Sequence, residues 1–128
     1  DFDVFPKRSR NKISFSGPIA LLTGPSAASS GDMSTLWLAD HPLVRTFGKP
    51  TASAFNLQTQ PALGTELDLG PEWFGQIAEA NLYRVGQPDE YMTHRDLAID
   101  HPVWLRSIDV VAGKDTVVSA ALDWISQQ

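Results

Sequence analysis

Pro18-Ile19-Ala20-Leu21-Leu22-Thr23-Gly24-Pro25-Ser26-Ala27-Ala28-Ser29-Ser30-Gly31-Asp32 decides how the chain is read. An apolar run enters a turn of small residues. Met33, Leu36, Trp37 and Asp40 then follow at helical spacing until His41-Pro42 stops the pattern. The run Ile19–Thr23, apolar on both faces, predicts a central strand of a covered sheet. A second strand expected over 43–47 closes a βαβ-like unit. Ser29 then falls at the carboxyl end of a strand, where open α/β sheets place their ligands. A serine on such a turn stands clear of its neighbours, and the first helical N–H groups point where an oxyanion would develop. The same small residues also suit a plain turn and N-cap.

At 128 residues the chain is one domain's worth and long enough to bury a core. A hydrophobic fraction of 42% with 20% charged residues excludes disordered and fibrous classes. Net charge is −5, which disfavours nucleic acid and anionic membrane as partners. Lys7, Arg8, Arg10 and Lys12 form a local basic stretch that reads as a solvated loop. Cysteine is absent, which rules out disulfides and thiolate chemistry and suits cytoplasm and periplasm alike. No apolar run approaches the roughly 20 residues of a membrane span. The chain opens Asp1-Phe2-Asp3-Val4 with no initiator methionine or signal peptide, and reads as a processed product or an excerpt.

Along the chain, Phe2 and Val4 alternate with aspartates as in an edge strand. Segments 57–60 and 66–69, separated by Pro61 and Gly64, are expected to form a hairpin beside a substrate groove. A weakly patterned segment with Trp73, Phe74 and Ile77 follows Gly70-Pro71, then a strand over 81–85 and a turn over 86–89. Val117, Val118, Ala121, Leu122 and Ile125 mark one face of a closing helix that Asp115-Thr116 begins. Val117, Ala121, Leu122 and Ile125 are the expected buried residues.

Ser29-Ser30-Gly31-Asp32 and Phe47-Gly48-Lys49-Pro50-Thr51 resemble the nucleophile turn and following strand of the C-terminal-processing (tail-specific) serine proteases. The Ser-x-Gly-Asp form is closer to the tricorn-protease core than to the Ser-Ala-Ser-Glu form of the bacterial enzymes. A third block, Leu105-Arg106-Ser107-Ile108-Asp109-Val110-Val111-Ala112-Gly113-Lys114-Asp115 continuing to Ala121-Leu122, resembles the closing segment of that family. Ile99-Asp100 and Val103 fall where it has Pro-Asp and valine. The blocks run from about residue 13 to the end, with 57–90 matched loosely. The resemblance implies the α/β spiral shared with Clp protease and the crotonases, a central and mostly parallel sheet flanked by helices. Residues 1–128 would form a single domain, the C-terminal half of the catalytic one. It further implies peptide-bond hydrolysis through a serine acyl-enzyme, a peptide or protein substrate, no cofactor or metal, a possible homo-oligomer, and a missing N-terminal half of the same chain.

Carried over by spacing from Gly48, the nucleophile is Ser29, with Asp32 at the acidic position three residues later. Ser30 either contributes its N–H to the oxyanion hole or is the alternative nucleophile. Asp32 also has a sufficient structural role, stabilising the helix N-terminus. The lysine base of the bacterial enzymes falls on Ala54, while Lys49 lies on the expected strand and is no substitute. A serine without a base is a poor nucleophile. Either a histidine base and the second oxyanion donor lie upstream, as in the tricorn type, or the site is dead. Glu90 is the candidate for the tricorn type's orienting glutamate, with an exposed turn carboxylate as the other reading. His94 near Glu90 is a candidate base from within the chain; His41 suits a helix end, and His101 a strand. The histidine spacing gives no metal signature. The alternative function is a catalytically dead ligand- or peptide-binding module on the same fold, as in retinoid-binding proteins.

Overall fold

The computed structural model describes residues 15–55, 64–68, 71, 74–78, 82–83, 86–87 and 89–128. The strand expected at the N-terminus, the basic stretch 7–12 and the segment 57–60 lie outside them, as does much of 81–85. The elements in chain order are β1 (Ile19–Thr23), α1 (Ser30–Ala39), β2 (Val44–Gly48), β3 (Gly64–Asp68), β4 (Phe74–Ala78), β5 (His101–Pro102), α2 (Ser107–Val111) and α3 (Thr116–Ser126). The architecture is mixed α/β, with a small parallel sheet flanked by helices. The chain divides into two compact units, Asp1–Thr23 with Ser34–Lys49 and Ile99–Gln128, and Gly24–Met33 with Pro50–Ala98.

In the first unit β1 and β2 run parallel from Ile19↔Val44 to Thr23↔Gly48, and β5 pairs parallel with the end of β2. The order β1-β2-β5 makes β2 the inner strand among the described residues. Val44, Thr46, Phe47 and Gly48 of β2 are buried, whereas β1 is mostly half-exposed and its Leu22 exposed. Among the described residues β1 pairs on one side alone and β2 takes the inner place; a continuous apolar run does not tell an inner strand from an outer one. Gly48 lies at φ 123°, and a Cβ there would collide with the Thr23 carbonyl oxygen. A side chain is thus excluded on two counts, backbone conformation and space.

Asp115 caps α3, its carboxylate accepting the Val117 and Val118 N–H groups at 2.8 and 3.0 Å. Phe47, Val117 and Ala121 form the core, with Ala20, Val103, Ala120 and Trp124 packed against it. Leu122 and Ile125, expected in this core, are 59% and 39% exposed. The helix carries apolar residues on two adjacent faces, and the 117–121–124 face is the one the sheet takes. The Asp100 carboxylate accepts the Thr46 N–H and Oγ1–H, while Thr46 Oγ1 accepts the Asp100 N–H, all within 2.8–2.9 Å. This reciprocal clamp fastens the entry to β5 onto β2. The Thr46 amide, foremost, holds the Asp100 carboxyl below its ordinary range. At the start of α2 the Arg106 guanidinium bridges both Asp109 oxygens, and Thr116 Oγ1 donates to the same carboxylate at 2.7 Å.

In the second unit β3 pairs antiparallel with β4, from Gly64↔Ala78 to Asp68↔Phe74. The expected hairpin partner of 66–69 was 57–60. Segment 57–60 lies outside the described residues; the partner that β3 has among them is β4, in the weakly patterned segment after Gly70-Pro71. A single bridge joins Tyr83 to Tyr91 across the predicted turn, where Gly86 adopts φ 81°. Phe55, Met92 and Leu97 are this unit's buried apolar residues among those described.

Candidate active site

The turn before α1 is built from short-range backbone bonds. Ala27 N–H donates to the Gly24 carbonyl, Gly31 N–H to Ala28, and Met33 N–H to Ser29, at 2.9–3.0 Å. Ser29 immediately precedes the helix, is exposed, and adopts φ 54°. A left-handed backbone is uncommon for any residue but glycine and costs about 1 kcal/mol. It is held here by Asp32, at the third position of the helix, whose Oδ2 accepts the Ser29 N–H at 2.7 Å. This is the reciprocal half of a capping box, with aspartate in the usual glutamate's place.

Asp32 does more than cap. Its side chain is 0% exposed, and it accepts the Ser53 N–H on Oδ1 at 2.9 Å and the Ala54 N–H on Oδ2 at 3.0 Å. Three backbone donors and the helix N-terminus surround a fully buried carboxylate, the condition under which a buried anion is tolerated. The structural role expected for Asp32 thus extends to the loop 51–55. Sequence could not show this, because the partners lie more than twenty residues away. The same loop is tied by Ala52 N–H to the Ala27 carbonyl at 2.8 Å.

Ala54, onto which the resemblance carries the lysine of the bacterial processing enzymes, shares Asp32 Oδ2 with Ser29 and so lies beside the serine turn, carrying only a methyl group. The Lys49 ammonium sits 4.9 Å from the centre of the Trp104 ring, in the other unit. Ser30 is exposed and opens α1. Glu90 pairs with Arg95 at 3.2 Å, both side chains half-exposed. His41 Nδ1 accepts the Leu43 N–H at the helix end, and His101 stacks on Phe47 with ring centres 4.4 Å apart.

His94 differs from both. It is exposed, adopts φ 62°, and donates its N–H to the Ser53 carbonyl at 2.9 Å. Ser53 itself has φ 55°, and its buried hydroxyl and that of Thr51 find no hydrogen-bond partner among the described residues. The burial of the Thr51 and Ser53 hydroxyls was not foreseen, because nothing in a Thr-Ala-Ser-Ala run announces it.

No family model matches the sequence, and no curated protein matches it significantly. Among solved structures the chain is similar to a provisionally assigned peptidase from Parabacteroides merdae ATCC 43184, with a TM-score of 0.67 and 18% identity. The match covers 84% of this chain and 31% of that one. The chain therefore shares a fold with about a third of that larger protein.

Proposed function

We propose that the chain carries the nucleophile of a serine-type peptidase of the C-terminal-processing, tricorn-like kind, on a ClpP/crotonase-like spiral. The observation that carries this reading is Ser29: exposed, left-handed, at a helix N-terminus, and fixed by a buried carboxylate. Backbone strain of this kind concentrates at functional sites. The structural neighbour's assignment as a peptidase points the same way.

In this reading the Ser29 hydroxyl attacks the scissile carbonyl and forms an acyl-enzyme. The N–H of Ser30, in the first helical turn, faces the developing oxyanion. Asp32 keeps the turn in the conformation that presents Oγ. A second oxyanion donor comes from the remainder of the domain, outside these residues. Ala54 in the lysine's place favours the alternative, a binding module without catalysis. Peptide hydrolysis by the longer protein separates the two: the first reading expects cleavage that Ser29→Ala abolishes, the second expects saturable peptide binding without cleavage.

A further inference from the structure

The first unit holds a cleft of about 460 Å³ between β5 and α3, within the roughly 300–1,000 Å³ range of ligand clefts. Neither Ser29 nor Asp32 lines it. Aromatic rings form much of the lining. The His101 ring stacks on the buried Phe47 with centres 4.4 Å apart, and the Trp124 ring tilts against these two at 5.7 Å from Phe47 and 6.5 Å from His101. The polar groups are the Asp100 and Asp123 carboxylates and the Gln127 amide, and none of the described lining residues is a lysine or arginine.

Asp100 has a structural task, since Thr46 anchors it and so fastens β5 onto β2. Asp123 has none that the fold supplies. Its carboxylate makes no hydrogen bond or ion pair among the described residues; only its backbone carbonyl is engaged, by the Ser126 hydroxyl. It also stands in the last turn of α3, which carries no basic residue. The carbonyls of a helix end put negative potential there, a place that disfavours a carboxylate and favours a cation. An exposed, unpaired aspartate beside a half-buried indole at such an end calls for a positive partner.

We propose that this cleft binds the guanidinium of an arginine side chain carried by a peptide. The site stands whether or not Ser29 is a nucleophile. A guanidinium suits the lining better than an ammonium, because its flat face stacks on an indole and its fork of N–H donors meets a carboxylate two at a time. Gln127, four residues beyond Asp123, adds an amide oxygen as a further acceptor. Asp100, Pro102 and Gln127 are exposed, so the mouth is open, as entry of a side chain tethered to a main chain requires.

The test titrates the 128-residue chain with Nα-acetyl-arginine methylamide at about pH 8, where histidine charge does not compete, and follows the indole N–H signals by NMR, with Trp124→Phe identifying the Trp124 signal. The expected result is a saturable shift of that signal at millimolar concentration, a weaker response to the lysine analogue, and none to the neutral citrulline analogue of the same shape. In Asp123→Asn the affinity for the arginine probe should fall about tenfold or more, the worth of a charge-assisted hydrogen bond. The urea midpoint of that variant should stay level or rise, since the helix end no longer faces a like charge. A response to arginine no greater than that to citrulline overturns the proposal, as does an affinity unchanged in Asp123→Asn. A lysine analogue that binds as tightly overturns the guanidinium assignment. A lower urea midpoint in Asp123→Asn gives the carboxylate a structural task after all and overturns its role as a ligand.

Discussion

Asp32 and Ser29 form a closed local unit in which a fully buried carboxylate oxygen accepts the backbone N–H of an exposed serine at 2.7 Å. The same oxygen accepts the N–H of Ala54, so one atom ties the serine turn to a loop more than twenty residues away. The position of the Ser29 turn is a property of this carboxylate as much as of the helix.

Asp32→Ala leaves three backbone N–H groups without their acceptor. An unsatisfied buried donor costs about 1–3 kcal/mol, and water entering the vacated space recovers part of that. The expected loss is about 2–4 kcal/mol, read as a fall in the urea midpoint. An unchanged midpoint means that the carboxylate does not organise the turn.

The closing helix gives a paired test. Val117→Ala removes buried methyl groups from the contact with Phe47 and is expected to cost about 2 kcal/mol. Leu122→Ala, on the exposed face, should stay within about 0.5 kcal/mol. The opposite ranking in denaturant titrations places the other face of α3 against the sheet.

Acid should loosen the junction between β2 and β5. The Asp100 carboxyl lies below its ordinary value of 3.8 in the folded chain, chiefly because the Thr46 N–H bonds the charged form. The native state then binds fewer protons than the unfolded one near that pH. The contribution is fully present above the unfolded value and is lost as pH falls through the folded one. Asp100→Asn should flatten stability against pH below about pH 4. An acid limb of equal slope in the variant assigns that dependence to other carboxylates.

Much of the fold around the site was legible in the sequence because the signals were local. The apolar run before Gly24-Pro25, the spacing after Gly31 and the Asp115 cap each act over a few residues, and the structure forms β1, α1 and α3 where they predict. What was not legible depends on distant partners. The strand order that makes β2 the inner strand, the choice of β4 as partner of β3, and the face of α3 that is buried are all settled by packing between segments remote in sequence. At the site, the turn bearing Ser29 is visible as a motif, whereas the clamp through Asp32 and the left-handed Ser53 and His94 arise from contacts that no periodicity encodes.

The most direct measurement of the central claim is the site of fluorophosphonate attachment, mapped by tandem mass spectrometry in the protein and in its Ser29→Ala and Ser30→Ala variants. The account predicts an adduct on Ser29 that disappears in Ser29→Ala and survives in Ser30→Ala. An adduct that survives in Ser29→Ala and disappears in Ser30→Ala contradicts it, making Ser30 the nucleophile and Ser29 its strained neighbour.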